Sequence, residues 1–249
     1  MATFVLIHGS WHGGWCFDPL RERLAAEGHE VIAPDLPGMG GTDEELAQVT
    51  LQGWADFAVG KCRQAGQRPV ILVGHSRGGI VVSQAAETAP DAMDALVYVC
   101  AMMLPDGLSR ADFKALEIKN AGFDDLIAPT DGGHGTVIVG ERPEDVFAQL
   151  SPAELVEPAM KRLVAEPHGP RSEKMQLTSK RFGSLPRHYV ICNEDRTIPL
   201  SSQEKMLELV PGASVSVLEA DHSPFLSRPA ELAEILVAVA AERSDIPGH

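Results

Sequence analysis

Gly74-His75-Ser76-Arg77-Gly78-Gly79 lies between an apolar run at 70–73 and a stretch of apolar helical period at 80–86. A serine so placed suits a nucleophile elbow, in which a sharp strand-to-helix turn strains the serine backbone and glycines two residues away on each side avoid the neighbouring chain. Ser76 would then stand at a strand's carboxyl end and a helix's N-terminus, where the helix dipole favours a developing anion. The competing reading is a glycine-rich turn whose serine caps a helix.

A serine hydroxyl is a weak nucleophile at neutral pH and needs a base within hydrogen-bond reach, itself oriented by an acid. On alternating strands and helices the expected chain order is serine, acid, histidine. Of nine histidines, His222 alone follows a late strand-like run in that order. His29, His134, His168, His188 and His249 fall in turns, the middle insert or the tail, and His75 reads as packing support for the elbow. For the acid, Asp195 comes first, with Glu194 and Asp106 as rivals. Asp221 and Asp35 read as turn and loop residues. Acyl transfer also needs donors aimed at an oxyanion. The backbone N–H groups of Arg77, directly after the serine, and of Ser10, in the small-residue loop His8-Gly9-Ser10-Trp11-His12-Gly13-Gly14-Trp15, are the candidates.

These residues need a scaffold that gathers strand ends. Short apolar runs at 3–8, 30–33, 69–74, 94–101, 187–192 and 214–219 alternate with helical stretches at 19–27, 51–64, 78–88, 203–209 and 229–242, the pattern of a parallel sheet covered on both faces. Gly28 and Gly66 close two of the helices, and Pro90 stops a third. Between the fourth and fifth strands, about 80 residues hold no strand long enough to join the sheet and are too long for a bare loop. They read as an inserted cap over 106–186, mainly helical, on a core formed by 1–105 and 187–249. The last residues, 245–249, read as a frayed tail.

Composition narrows the partners. The 249 residues carry 21 Lys+Arg against 35 Asp+Glu, a net charge of −14, with 44% hydrophobic residues. Without a basic cluster there is no footprint for nucleic acid, and the excess of acid favours neutral or apolar ligands. Cys16, Cys62, Cys100 and Cys192 form no C-x-x-C pair, which argues against a zinc cage or a disulfide framework. No apolar run approaches the ~20 residues of a membrane span, and no basic leader or cleavage site precedes residues 4–7. The expected location is therefore the cytoplasm.

The elbow, the His8–Trp15 loop, Glu194-Asp195-Arg196 and Asp221-His222 together resemble the α/β-hydrolase superfamily, and within it the branch of plant methyl esterases, hydroxynitrile lyases and related bacterial carboxylesterases. The likeness extends to Gln149-Leu150-Ser151-Pro152-Ala153-Glu154 and Arg181-Phe182-Gly183-Ser184, and is loosest at 106–139. It implies a six-stranded, mostly parallel sheet with a small cap over a largely apolar pocket, and it selects Asp195 as the acid. It also implies a serine carboxylesterase acting on small to medium, largely apolar esters, without metal or organic cofactor. The lyases resemble one another in carrying a lysine after the catalytic histidine, where this chain has Ser223, and a hydroxyl residue where it has Gly9. Lyase chemistry and a ligand-binding receptor on the same fold are the alternatives. Gly9, Trp11, Met103 and Phe147 are the candidate substrate contacts, with Phe17, Met102, Leu104, Leu126 and Leu155 as further wall candidates. Arg77's side chain either shapes the pocket or pairs with a carboxylate. A homodimer through the cap stays open.

Overall fold

The computed structural model describes residues 1–117 and 121–244. The expected tail at 245–249, with His249, lies outside the described residues. The strands are β1 (Thr3–Ile7), β2 (Glu30–Ile32), β3 (Val70–His75), β4 (Ala95–Val99), β5 (Ile127–Pro129), β6 (Gly135–Ile138), β7 (Glu166–Pro167), β8 (Arg187–Cys192) and β9 (Ser214–Leu218). Six of them form one sheet in the order β2-β1-β3-β4-β8-β9, and every neighbouring pair in it is parallel.

Alternation along each strand divides the core in two. Val5, Ile7, Leu72, Leu96 and Tyr98 face the helices Leu51–Arg63 and Gly78–Thr88, where they meet Trp54, Ala55, Ala58, Val81 and Ala85. Phe4, Leu6, Ile71, Val73 and Val97 face the opposite side and pack on Leu20, Leu24, Leu232, Leu236 and Val239 of the helices Asp18–Ala26 and Pro229–Ser244. Central strands buried on both faces must be apolar throughout, which is why they read as unbroken runs rather than alternating ones. The two edge strands differ: β2 is half-buried throughout, and Val215 and Val217 of β9 remain exposed.

Register brings the carboxyl ends of the strands to one rim. Ile7 pairs with Gly74, His75 with Val99, and Cys192 with Leu218. The segments that follow β1, β3, β4, β8 and β9 therefore emerge side by side, and they contain Ser10, Ser76, Met102, Asp195 and His222.

The insert between β4 and β8 carries the short helices Arg110–Lys114, Ala121–Asp124, Glu144–Phe147, Ala153–Met160 and Gly169–Ser172. It also carries an antiparallel sheet, β5-β6-β7, for which the sequence provides little warning. Thr130-Asp131-Gly132-Gly133 is the turn between β5 and β6, and Asp43 from the core accepts hydrogen bonds from Thr130 Oγ1 and the His134 N–H. Phe123, Val146, Phe147 and Val156 of the insert close around Trp11 of the β1 loop in a separate apolar cluster.

The helix after β3 can approach β1 only because Gly78 lacks a side chain. A Cβ there would lie 2.5 Å from the Ile7 carbonyl oxygen and 2.8 Å from that of His8, both fixed backbone atoms. Gly78→Ala is expected to lower unfolding stability by about 2–3 kcal/mol through overpacking, read as a fall in the urea midpoint without a change in slope.

Candidate active site

Ser76 follows β3 directly and takes a φ of 53°, the left-handed region that L-residues other than Gly and Asn seldom occupy. Its N–H donates to the Val99 carbonyl, and its own carbonyl accepts from the N–H groups of Gly79 and Met102. Two glycines make room around it. A Cβ on Gly74 would meet Val82 and Gly78 at 2.8–2.9 Å, and one on Gly9 would lie 2.5 Å from Ser76 Cβ. The strained turn thus projects the hydroxyl away from the sheet.

His222, in the loop after β9, places Nε2 3.0 Å from Ser76 Oγ and Nδ1 2.7 Å from Asp195 Oδ2. All three residues are buried. The other Asp195 oxygen accepts the N–H groups of Thr197 and Ile198 at 2.7 and 2.8 Å. The carboxylate is therefore fixed by the turn after β8 while its second oxygen holds Nδ1–H, so that Nε2 faces the serine as an acceptor. Of the rivals, Glu194 is exposed, and Asp106 accepts the Leu177 N–H away from the site.

His75 does more than pack against the elbow. Its Nε2–H donates to the His222 carbonyl at 2.7 Å, which holds the backbone of the histidine loop. Cys100 Sγ donates weakly to the same oxygen. Although donor atoms of His75, Cys100 and His222 lie within 4.8 Å of one another, both His222 nitrogens and His75 Nε2 are engaged in these hydrogen bonds, so the cluster is arranged for proton positioning rather than ion binding.

Asp221, which reads from sequence as a turn residue, is a fully buried anchor. One oxygen accepts the Ser223 N–H and Ser227 Oγ–H, and the other accepts the Leu150 N–H and Ser151 Oγ–H from the insert. Asp35 keeps its expected loop role by accepting the Gly14 N–H at 2.7 Å.

Ser10, Trp11, Ser76, Arg77 and Met102 line one cavity of about 250 Å³ with Phe123, Ile127 and Ile198. Among the described residues, the N–H groups of Ser10 and Arg77 have no protein acceptor. Trp11 sits on the wall, with Nε1–H donating to Thr136 Oγ1. Met102 lines the cavity and Met103 does not, although both belong to the core between the sheet and its helices, where Met103 is fully buried. Phe147 also lies off the wall, packed edge-on behind Trp11. Gly9 contributes closeness to Ser76 rather than a wall. A larger hollow of about 730 Å³ touches Asp195 from behind, near Arg142 and Arg196, but excludes Ser76.

Arg77's side chain pairs with a carboxylate. Its Nη1 lies 2.9 Å from Glu166 Oε2, both side chains about 95% buried, although the contact lacks hydrogen-bond alignment. The guanidinium also stacks on Trp54 at 4.7 Å. Glu166 Oε1 accepts Thr136 Oγ1–H at 3.3 Å, so the elbow is tied through this pair to β6 and β7. Sequence reasoning did not single out Glu166, because its β7 is two residues long and no motif marks it.

A family model described as "Alpha/beta hydrolase family" matches residues 4–235. "Putative methylesterase 11, chloroplastic" of Arabidopsis thaliana is 32% identical over 95% of this chain, which spans 63% of that protein's length. A pyrethroid hydrolase of Sphingobium wenxiniae is 32% identical, over 100% of this chain and 90% of its own. The crystal structure of a pyrethroid hydrolase from Sphingobium faniae JZ-2 aligns with a TM-score of 0.85 at 29% identity, covering 98% of this chain and 99% of that one.

Two predictions follow from the buried groups. Asp221→Ala removes acceptors from four donors at once and is expected to cost about 2–4 kcal/mol of stability, measured by denaturant unfolding, together with a lower kcat/KM for ester hydrolysis. Burial pushes His8 and His12 down to about 4 and His75 well below its ordinary range, and the opposing hydrogen bonds to the Gly9, Ser10 and His222 carbonyls, with the Asp35 charge near His8, offset this desolvation only in part. Neutral in the fold and protonated once unfolded, they contribute stability that is complete above about pH 6.5 and lost as pH falls toward 4. Unfolding at pH 5 should take up about three protons from these histidines, seen as the slope of unfolding free energy against pH.

Proposed function

The chain belongs to the alpha/beta hydrolase family, and from that premise we propose that it is a serine carboxylesterase. The observation that carries this reading is the hydrogen-bonded series from Ser76 Oγ through His222 to Asp195 at the mouth of a cavity. Ser76 attacks the ester carbonyl carbon while His222 Nε2 takes its proton, and Asp195 holds the imidazole tautomer and stabilises the imidazolium. The N–H groups of Ser10 and Arg77 receive the oxyanion. Collapse of the tetrahedral species expels the alcohol, which takes the proton back from His222. Water activated by the same imidazole then hydrolyses the acyl-enzyme to acid and free serine.

The names of the relatives, a methylesterase and a pyrethroid hydrolase, both denote ester cleavage, and a cavity of about 250 Å³ suits a small to medium ester. Residues 106–186 act as its lid. The lyase alternative is weaker. The residue after His222 is Ser223, which is fully buried, and the lysine on the cavity wall, Lys114, is neutralised by Asp124 at 2.7 Å. Among the described residues no helix is long and apolar enough to cross a membrane. Four free, buried thiols suit a reducing compartment, for which the cytoplasm is the simplest assignment.

Ser76→Ala is expected to reduce hydrolysis of 4-nitrophenyl butyrate by about 10³-fold or more and to abolish the single adduct that a fluorophosphonate leaves on the wild type, read by intact mass. Labelling of Ser76 without multiple turnovers would instead indicate a receptor or lyase.

A further inference from the structure

The wall of the Ser76 cavity carries more positive charge than an acidic chain leads one to expect. Arg77, Arg110, Lys114 and Arg171 all line it in a protein of net charge −14. Three of the four are matched: Arg77 to Glu166 at 2.9 Å, Arg110 to Glu117 at 3.0 Å, and Lys114 to Asp124 at 2.7 Å. Arg171, half-buried in the helix Gly169–Ser172, has no carboxylate within 4 Å among the described residues, which leaves one positive charge in excess.

A second observation points to the same place. Arg110 spends Nη2 on Glu117, but its Nη1 is buried and has no hydrogen-bond partner among the described residues. A buried guanidinium N–H without an acceptor is costly, and because Nη1 has almost no accessible surface as it stands, that cost is relieved when the Arg110 side chain, which lines the cavity, turns toward an entering acceptor. Burial lowers the pKa values of Arg77 and Arg110, the carboxylates of Glu166 and Glu117 oppose this, and the charge of Arg171 adds to the lowering at both. Three guanidiniums thus line a cavity whose wall also presents the apolar Trp11, Met102, Phe123, Ile127 and Ile198, while its two carboxylates, Glu166 and Asp124, are each paired with a cation.

Resting on the esterase reading, we propose that the substrate is an ester bearing a second, monoanionic group, a carboxylate in the simplest case, held by Arg171 and Arg110 while Ser76 attacks the ester carbonyl. One negative charge matches the single excess cation, and two acceptor oxygens suit the forked donors of arginine. The apolar wall takes the chain that joins the two groups. A neutral ester still fits but leaves Arg171 and Arg110 Nη1 unanswered. Discrimination then comes from buried donors that only the anionic substrate satisfies.

The test compares kcat/KM of the full chain on mono-(4-nitrophenyl) succinate, glutarate and adipate with the neutral butyrate, valerate and hexanoate esters of the same acyl length, after subtracting spontaneous hydrolysis. The best half-ester should exceed its neutral match by about tenfold or more at low salt, mainly through KM. The ratio should fall to about one in Arg171→Gln and be largely retained in Arg171→Lys. A wild-type ratio at or below one, as repulsion by the acidic chain alone would give, or a ratio unmoved by Arg171→Gln, overturns the proposal while leaving the esterase reading intact. If folded wild type hydrolyses neither series, the esterase reading fails. Calorimetry of monomethyl glutarate against methyl valerate then decides: an anionic preference lost in Arg171→Gln sustains the subsite, and equal binding overturns it.

Discussion

A serine held in the left-handed region costs on the order of 1–2 kcal/mol, and Ser76 stays there because its surroundings leave it no alternative. Its N–H is bound to β4, its carbonyl accepts from both the following helix and the segment after β4, and Gly9 approaches so closely that even a methyl group would collide with it. The close approach of the helix Gly78–Thr88 to β1 makes the turn sharp. From that turn the rest of the site follows, since the parallel register brings the loops after β8 and β9 to the same rim. Asp195 and His222 are then within reach by construction, without any long excursion of the chain.

The insert and the catalytic loops are joined by charged or polar groups immediately beside the reacting ones. Asp221 precedes His222 and binds Leu150 and Ser151; Arg77 follows Ser76 and binds Glu166. Each is buried, so neither can be released from its partners cheaply. Three histidines that stay neutral through burial complete this surround, with His75 setting the position of the His222 backbone. The reacting residues are therefore supported on two sides, by the sheet through hydrogen-bonded backbone and by the insert through side chains.

The main sheet is legible in the sequence because its strands are buried on both faces and must be continuously apolar. Residues 3–8, 69–74 and 94–101 announce themselves, and their ends differ from β1, β3 and β4 by only a few residues. Ser76 and His222 are legible from glycine spacing and chain order. Asp195 is separable from Glu194 only with the family resemblance, because spacing cannot say which of two adjacent carboxylates turns inward. Other features leave no periodic trace. Strands β5 to β7 are two to four residues long, shorter than any alternation can mark. The buried role of Asp221 arises from a contact 71 residues away in sequence. Met102 and Met103 are likewise indistinguishable by composition, and the turn after β4 alone decides that Met102 also meets the cavity while Met103 is wholly enclosed in the core.

The four hydrogen bonds at Asp221 also bear on how the insert can move. Because the residue adjoining the base is fastened to Leu150 and Ser151, lifting that corner of the insert would slacken the loop that aims His222, and an enzyme opened there would be disarmed while it loaded. The corner therefore behaves as a hinge pin rather than a doorway. Lys114, Phe123 and Asp124, elsewhere on the cavity wall, carry no such hydrogen bond to the loops that hold Asp195 and His222 among the described residues.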